Sequence, residues 1–444
     1  MTRCRSVVGF DAELYLRIAG EETILGMGPE RQRPWDSPEL ERARALVAVG
    51  AISAARARAI IDDYSLAEAV RGDQGPHLHY RIAMPQASRA RRSKAKALKP
   101  RRVVPCNRTI EDANGALNVR RVVLTEDSTS LAITWRPNNS GQGRSSRRGR
   151  MVMLGHGPSG PLQPQLTDDR GTTVATRFGG GGSDEEWAGH LTADQPLAPD
   201  TAWIEIDGHR LELSGQAVAC EVTVEPLDDE PTAHRYLWHL LASPDFHGPP
   251  EIDTSIDALI AAGALEPHDP VLDEMRAVRA AMPHHAGMHA GAPQGARQLS
   301  EPWRSLFRRP GKHDGPEGTL ALSAVTPEFD GFSVAITCLE SRPDGFGIEV
   351  EVAPGLEARG GVRGVESRHL AWWAADDRGH HHLGQIGSWS GGETYSSGEV
   401  LLWPGLRPRA RSLSIMPTGE TSRAVITIPL TWGDAGPRGD AEPT

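Results

Sequence analysis

The chain has 444 residues, 38% of them hydrophobic, with 48 glycines, 34 prolines and a formal net charge of −10. That length exceeds what one hydrophobic core normally supports, and the composition predicts two to four compact domains with long connections instead of disorder throughout. The negative balance excludes a general affinity for nucleic-acid backbones, and the scattered cysteines, Cys4, Cys106, Cys220 and Cys338, exclude a CxxC zinc ribbon and offer no disulfide framework.

In chain order, the first twenty residues break every apolar stretch with charge, and nowhere is there an apolar run of spanning length. This predicts no signal peptide, no membrane segment and a cytoplasmic location. Residues 1–82 are read as an N-terminal segment with a helical hairpin. Asp36 or Ser37 can cap a helix that Gly50 ends, and Ser53 can cap a second helix through "SAARARAIIDDYSLAEAVRG", closed by Gly72. Residues 83–102 are read as a linker whose run "SRARRSKAKALKPRR" holds eight basic side chains and no acidic one. Basic charge over the whole chain is nearly all arginine, with lysine only at 94, 96, 99 and 312, which together with abundant alanine and glycine looks like the codon bias of a GC-rich bacterial genome.

From Val103 short alternating β-branched runs begin, separated by Gly, Pro, Asn and Asp clusters, and residues 103–226 are read as a first antiparallel β-sandwich. Residues 227–290 carry a second helical segment, 291–315 a linker, 316–432 a second sandwich and 433–444 a disordered tail. The two halves echo one another. "LTDDRGTTVATRF" returns as "WAADDRGHHHLGQ", with Asp168 and Asp376 spaced by 208 residues, and Leu197/Leu406 and Pro199/Pro408 by 209. "GALNV" at Gly115 is echoed by "GTLAL" at Gly318, 203 residues on, and "LVAVGAI" at Leu46 by "LIAAGAL" at Leu259, 213 on.

The stretches "DDRG...W...PLAPDTAWIEI" and "ADDRG...Y...GLRPRARSLSI" resemble immunoglobulin-like β-sandwich domains of unknown function in bacterial surface and regulatory proteins. The helical "LVAVGAIS...RAIIDDYSLAEAVRG" is similar to segments of actinobacterial proteins. The resemblance implies a fold and no activity. The expected class is therefore mainly β with α: two immunoglobulin-like sandwiches, each preceded by a helical hairpin, produced by internal duplication.

Few residues carry reactive chemistry. The repeated Asp-Asp-Arg-Gly supplies paired carboxylates, but adjacent strand residues point to opposite faces and the glycine suits a hairpin turn. His284, His285 and His289 are the candidate metal ligands of a rival reading, a metal-dependent hydrolase, although Pro283 and the neighbouring glycines disfavour the helix such spacing needs. His380, His381 and His382 alternate across a predicted strand. Trp372, Trp373, Trp389 and Trp403 are the candidate binding residues, since an exposed indole stacks on a sugar ring or a protein partner; a carbohydrate-binding second sandwich is a further alternative. "RFGGGGSDE" lacks the Lys-Ser/Thr of a phosphate-binding loop, and there is no GxSxG nucleophile elbow. No catalytic residue and no cofactor are expected. The sequence reads as a non-enzymatic binding protein with a protein partner or self-association, and nucleic acid touches at most the basic linker.

Overall fold

The computed structural model describes residues 10–17, 38–60, 98–99, 101–111, 115–137, 164–182, 186–243, 252–282, 299–307, 316–342, 345–356, 369–392 and 395–432. Described helices are few: α1 (Pro38–Ala48), α2 (Thr232–Leu241), α3 (Asp253–Ala261), α4 (Pro270–Ala281) and α5 (Trp303–Leu306), with helical turns at 12–17 and 54–60. The bulk is antiparallel β-structure.

In unit 1, β1 (Arg102–Glu111), β2 (Gly115–Leu124), β3 (Thr129–Pro137), β4 (Gln165–Asp168), β5 (Thr173–Gly182), β6 (Trp187–Ala193), β7 (Trp203–Ile206) and β8 (His209–Glu212) form one sheet in the order β1-β2-β3-β6-β5-β4-β7-β8. Thr173–Ala175 of β5 pair with β4 and Thr176–Gly182 with β6, so a single bent strand joins the two parts. Val104, Val119, Leu131, Leu166, Leu191 and Ile204 fill the inside. The sheet curls until β1 lies beside β8, and Arg102 seals the seam by donating from its guanidinium to the carbonyls of Pro199, Thr201 (2.7 Å) and Leu213.

Unit 2 repeats this order. β10 (Gly318–Val325), β11 (Ser333–Arg342), β12 (Gly345–Ala353), β13 (Ala371–Asp376), β14 (His381–Gly392), β15 (Tyr395–Trp403), β16 (Ser412–Thr418) and β17 (Ser422–Pro429) run β10-β11-β12-β15-β14-β13-β16-β17, strand for strand as in unit 1. A ninth strand, β9 (Glu221–Pro226), joins outside β17. Just before it, the Val218 N–H donates to Ala321 O of β10 (2.8 Å), so residues 218–226 bridge the gap between the sheet's two edges.

Three sequence expectations change here. The strands of each unit lie in one nearly barrel-like antiparallel sheet, which does not confirm the immunoglobulin-like sandwich; inward/outward alternation is the same for both and cannot tell them apart. The strand read as the end of the first sandwich, β9, belongs to the second sheet, because alternation marks a strand without naming its partner. And "GALNV" opens β2 whereas "GTLAL" opens β10, the counterpart of β1, so that echo matched neighbouring hairpins out of step. The Asp168/Asp376 register is the one the strands obey: Leu166 pairs with Val174 and Ile206 as Ala374 pairs with His382 and Ile415.

The units meet through the same outer face, β1 beside β10, with Val103, Val123 and Ala321 clustered between them. Around that contact unit 1 presents arginines and unit 2 glutamates. Arg101 pairs with Glu351 (2.6 Å), Arg121 with Glu349, and Arg120 with Glu340 (3.5 Å); the Arg101 and Arg121 side chains are each only 2% exposed. Arg101 and Arg102 were expected in the basic linker, but they are a buried ion-pair partner and the first residue of β1. Of the remaining run only Leu98 and Lys99 lie among the described residues, and Lys99 is held by Glu126 (2.9 Å) and Asp127 (3.3 Å).

The helices cover the outer face of unit 2, where Ala371, Leu383, Trp373 and Trp403 join the helical core. α1 and α3, which carry the Leu46 and Leu259 echo, pack on each other. Both end alike: Gly50 and Gly263 take φ of +74° and +67°, and their N–H groups reach Val47 O and Ile260 O, the left-handed cap that glycine adopts without a Cβ penalty. Asp269 caps α4 through the Val271 N–H (3.0 Å) ahead of Pro270 at the first helical position.

Candidate functional site

The Asp-Asp-Arg-Gly turn is built twice on one plan. In unit 1 buried Asp168 accepts from the N–H groups of Arg170 (3.0 Å) and Thr172 (2.7 Å), and Gly171 closes the turn at φ +79°. In unit 2 buried Asp376 accepts from Arg378 (3.0 Å) and His380 (2.9 Å), with Gly379 at φ +78°. The second aspartate of each pair pins the loop that precedes the next strand: Asp169 takes the Ala202 N–H and Asp377 the Arg411 N–H, both at 2.9 Å. These backbone bonds, the Arg411 one foremost, hold the exposed Asp377 carboxyl below its usual range. All four carboxylates thus serve the backbone of the turn and loop.

What the turns display outward differs. In unit 1 Arg170 grips Asp200 with both carboxylate oxygens at 2.7 Å, and Ala198 and Ala202 flank that aspartate. In unit 2 the corresponding positions are Arg407, Arg409 and Arg411. The sign of the partner is reversed, and Arg378 faces other arginines where Arg170 has a carboxylate. None of these four guanidiniums has a carboxylate partner among the described residues, and Arg378, Arg409 and Arg411 are exposed. A His at 380 replaces the Thr172 of unit 1, its Nδ1 3.0 Å from Asp376 Oδ2.

These side chains line an open groove of about 940 Å³ together with Pro408, Leu430, Thr431 and Trp432, with Arg407 alongside. At the start of β1 Arg102 crosses to the loop carbonyls; at the start of β10 there is Gly318, and the Trp432 ring occupies the space, 3.0 Å from where a Cβ would stand. Four guanidiniums against the single lining carboxylate of Asp377 make a cradle for anions.

The tryptophans singled out from sequence do not form one surface. Trp372 is 1% exposed inside unit 2 and half-buried Trp389 packs on the same core. Trp373 and Trp403 point outward but under the helices: Trp373 meets Trp303 edge-on (centroids 5.0 Å), Trp303 stacks on Trp238 (5.6 Å), and Trp403 tilts against Phe307 (6.1 Å). His284, His285 and His289 lie outside the described residues, and no group of three or more metal-ligating side chains occurs among the described ones. Of the His triplet, His380 sits at the groove, His381 contacts Ser305 Oγ (2.8 Å) beneath the helices, and His382 is enclosed in the barrel with Nδ1 2.6 Å from Pro404 O. Burial pushes the His382 ring down to about 4, against the milder opposing effect of the Pro404 carbonyl.

The groove arginines were missed in the sequence. The signal was present, since the Pro199/Pro408 register already sets Asp200 against Arg409.

No family model matches the chain, and no curated protein does. Among solved structures, the chain is similar to a conserved domain protein from Bacillus anthracis at 10% identity, covering 71% of this chain and 77% of that one with a TM-score of 0.18. No helix among the described residues is long and apolar enough to cross a membrane.

Proposed function

We propose that the protein is a non-enzymatic binding protein in which unit 1 is framework and unit 2 takes an anionic ligand in the groove of Arg378, Arg407, Arg409 and Arg411. The observation that carries this reading is the reversal of Asp200 to Arg409 within an otherwise retained turn and loop. Folding does not need four like charges gathered around the single carboxylate of Asp377, since they repel one another; an anion offsets that cost. The β1/β10 face joins the barrels, and the helical segments, read as two αα-hairpins, lie on the outer face of unit 2. The test is equilibrium binding of labelled polyglutamate by fluorescence anisotropy. Binding that weakens steeply between ~0.05 and ~0.5 M salt and is lost in Arg409→Asp, which reinstates the ion pair of unit 1, supports the reading; binding unchanged in Arg409→Asp refutes it.

A second reading, general acid–base work by His380, rests on the Asp376 contact at 3.0 Å, which places the ring proton on Nδ1 and leaves Nε2 as a base. His380→Gln leaves ligand affinity and ligand integrity unchanged in the binding-protein reading; ligand turnover that disappears in this variant favours the second.

A further inference from the structure

Resting on the anion-binding reading, we propose that the groove's ligand is an acidic peptide segment of a partner protein, with apolar side chains set between its carboxylates. The groove's lining is of two kinds: the charged side chains of Arg378, Arg409 and Arg411, and an apolar part made of Pro408 and Trp432. Asp377 ties the Arg411 backbone to the turn that carries Arg378, and half-buried Trp432 packs on the barrel core and against Gly318.

A single phosphate or small acid is best held where donors converge on one point in a small enclosed space. Here the arginines are spread over a turn and a separate loop around an open groove, so their donors do not converge on one point. A nucleic acid could stack one base on Trp432, but the groove offers no second aromatic face to continue a stack, and a chain of net charge −10 repels it. A peptide alternating acidic and apolar residues uses both kinds of lining: its carboxylates meet guanidiniums that can take two oxygens at once, and its apolar side chains cover Pro408 and Trp432.

The test compares three labelled probes on the full chain by fluorescence anisotropy: a Glu/Leu alternating peptide, a Glu/Ser peptide of equal charge, and an oligothymidylate. The Glu/Leu peptide is expected to bind about tenfold more tightly than the Glu/Ser peptide. Arg409→Asp should weaken both, and Pro408→Ser, at an exposed position the fold tolerates, or Trp432→Leu should shrink the difference between them. Equal affinity for the two peptides, or tighter binding of the oligothymidylate, overturns the peptide assignment while the anion groove stands. Failure of every probe to bind removes the groove reading itself.

Discussion

The two barrels are the same object finished differently at one end. Both keep an aspartate that accepts two backbone N–H groups, a glycine at positive φ, and a second aspartate that ties down a neighbouring loop. Only the outward side chains diverge: unit 1 neutralises its arginine with Asp200, and unit 2 gathers four arginines and a histidine. The comparison separates what a turn needs in order to form from what it is free to display. It also shows the units diverging where they meet, with buried arginines on one face and glutamates on the other. Complementary faces favour the pairing of unit 1 with unit 2 over like with like, since matching arginine faces would repel.

The largest effect is expected at that junction. Glu349→Ala leaves Arg121 buried without its partner and should cost about 3–5 kcal/mol in urea unfolding, whereas replacing both residues by leucine should restore most of the loss. An equal loss in the double variant would show that shape and not charge joins the units.

Acid should act next, through the buried His382. His382 of unit 2 stands where unit 1 has Val174, both buried. The unfolded chain takes up a proton near the ordinary histidine value of 6.5, but the folded ring resists it down to about 4. Stability is therefore intact above 6.5 and falls as the pH drops toward 4, by about 3 kcal/mol for this group. His382→Val, copying unit 1, should abolish that component of the pH dependence, as thermal unfolding between pH 4 and 7 would report; an unaltered pH profile would contradict it.

Asp168→Ala should cost about 2 kcal/mol, because it removes an acceptor of two turn N–H groups, and Asp376→Ala somewhat more, because it also releases the His380 ring. Equal losses would show that the His380 contact adds nothing to stability. Smaller still, Gly171→Ala and Gly379→Ala should cost about 1 kcal/mol apiece from the left-handed backbone alone, since no atom lies within 4 Å of an added Cβ at either site.

The legible parts of the sequence were the local ones. Asp-Asp-Arg-Gly reads as a turn because its chemistry is contained in four residues, and Gly50 reads as a helix end for the same reason. Alternation marked the strands, but every hairpin in a β protein alternates, which let β2 be matched to β10 and left β9 in the wrong unit. Arg101 and Arg102 looked like linker because a run of basic residues carries no sign of which glutamate or carbonyl lies opposite. The groove depends on a comparison across 209 residues: Arg409 gains its meaning only beside the Asp200 that answers Arg170.

The loop arginines of unit 2 are what set its groove apart from the same end of unit 1. The most direct measurement is the binding stoichiometry of the labelled Glu/Leu peptide to the wild-type chain and to the triple variant Ala198→Arg/Asp200→Arg/Ala202→Arg, which gives unit 1 the loop arginines of unit 2. One site is expected in the wild type and a second, weaker site in the variant, because Arg102 still crosses beneath that loop. A variant that gains no site while remaining folded would contradict it.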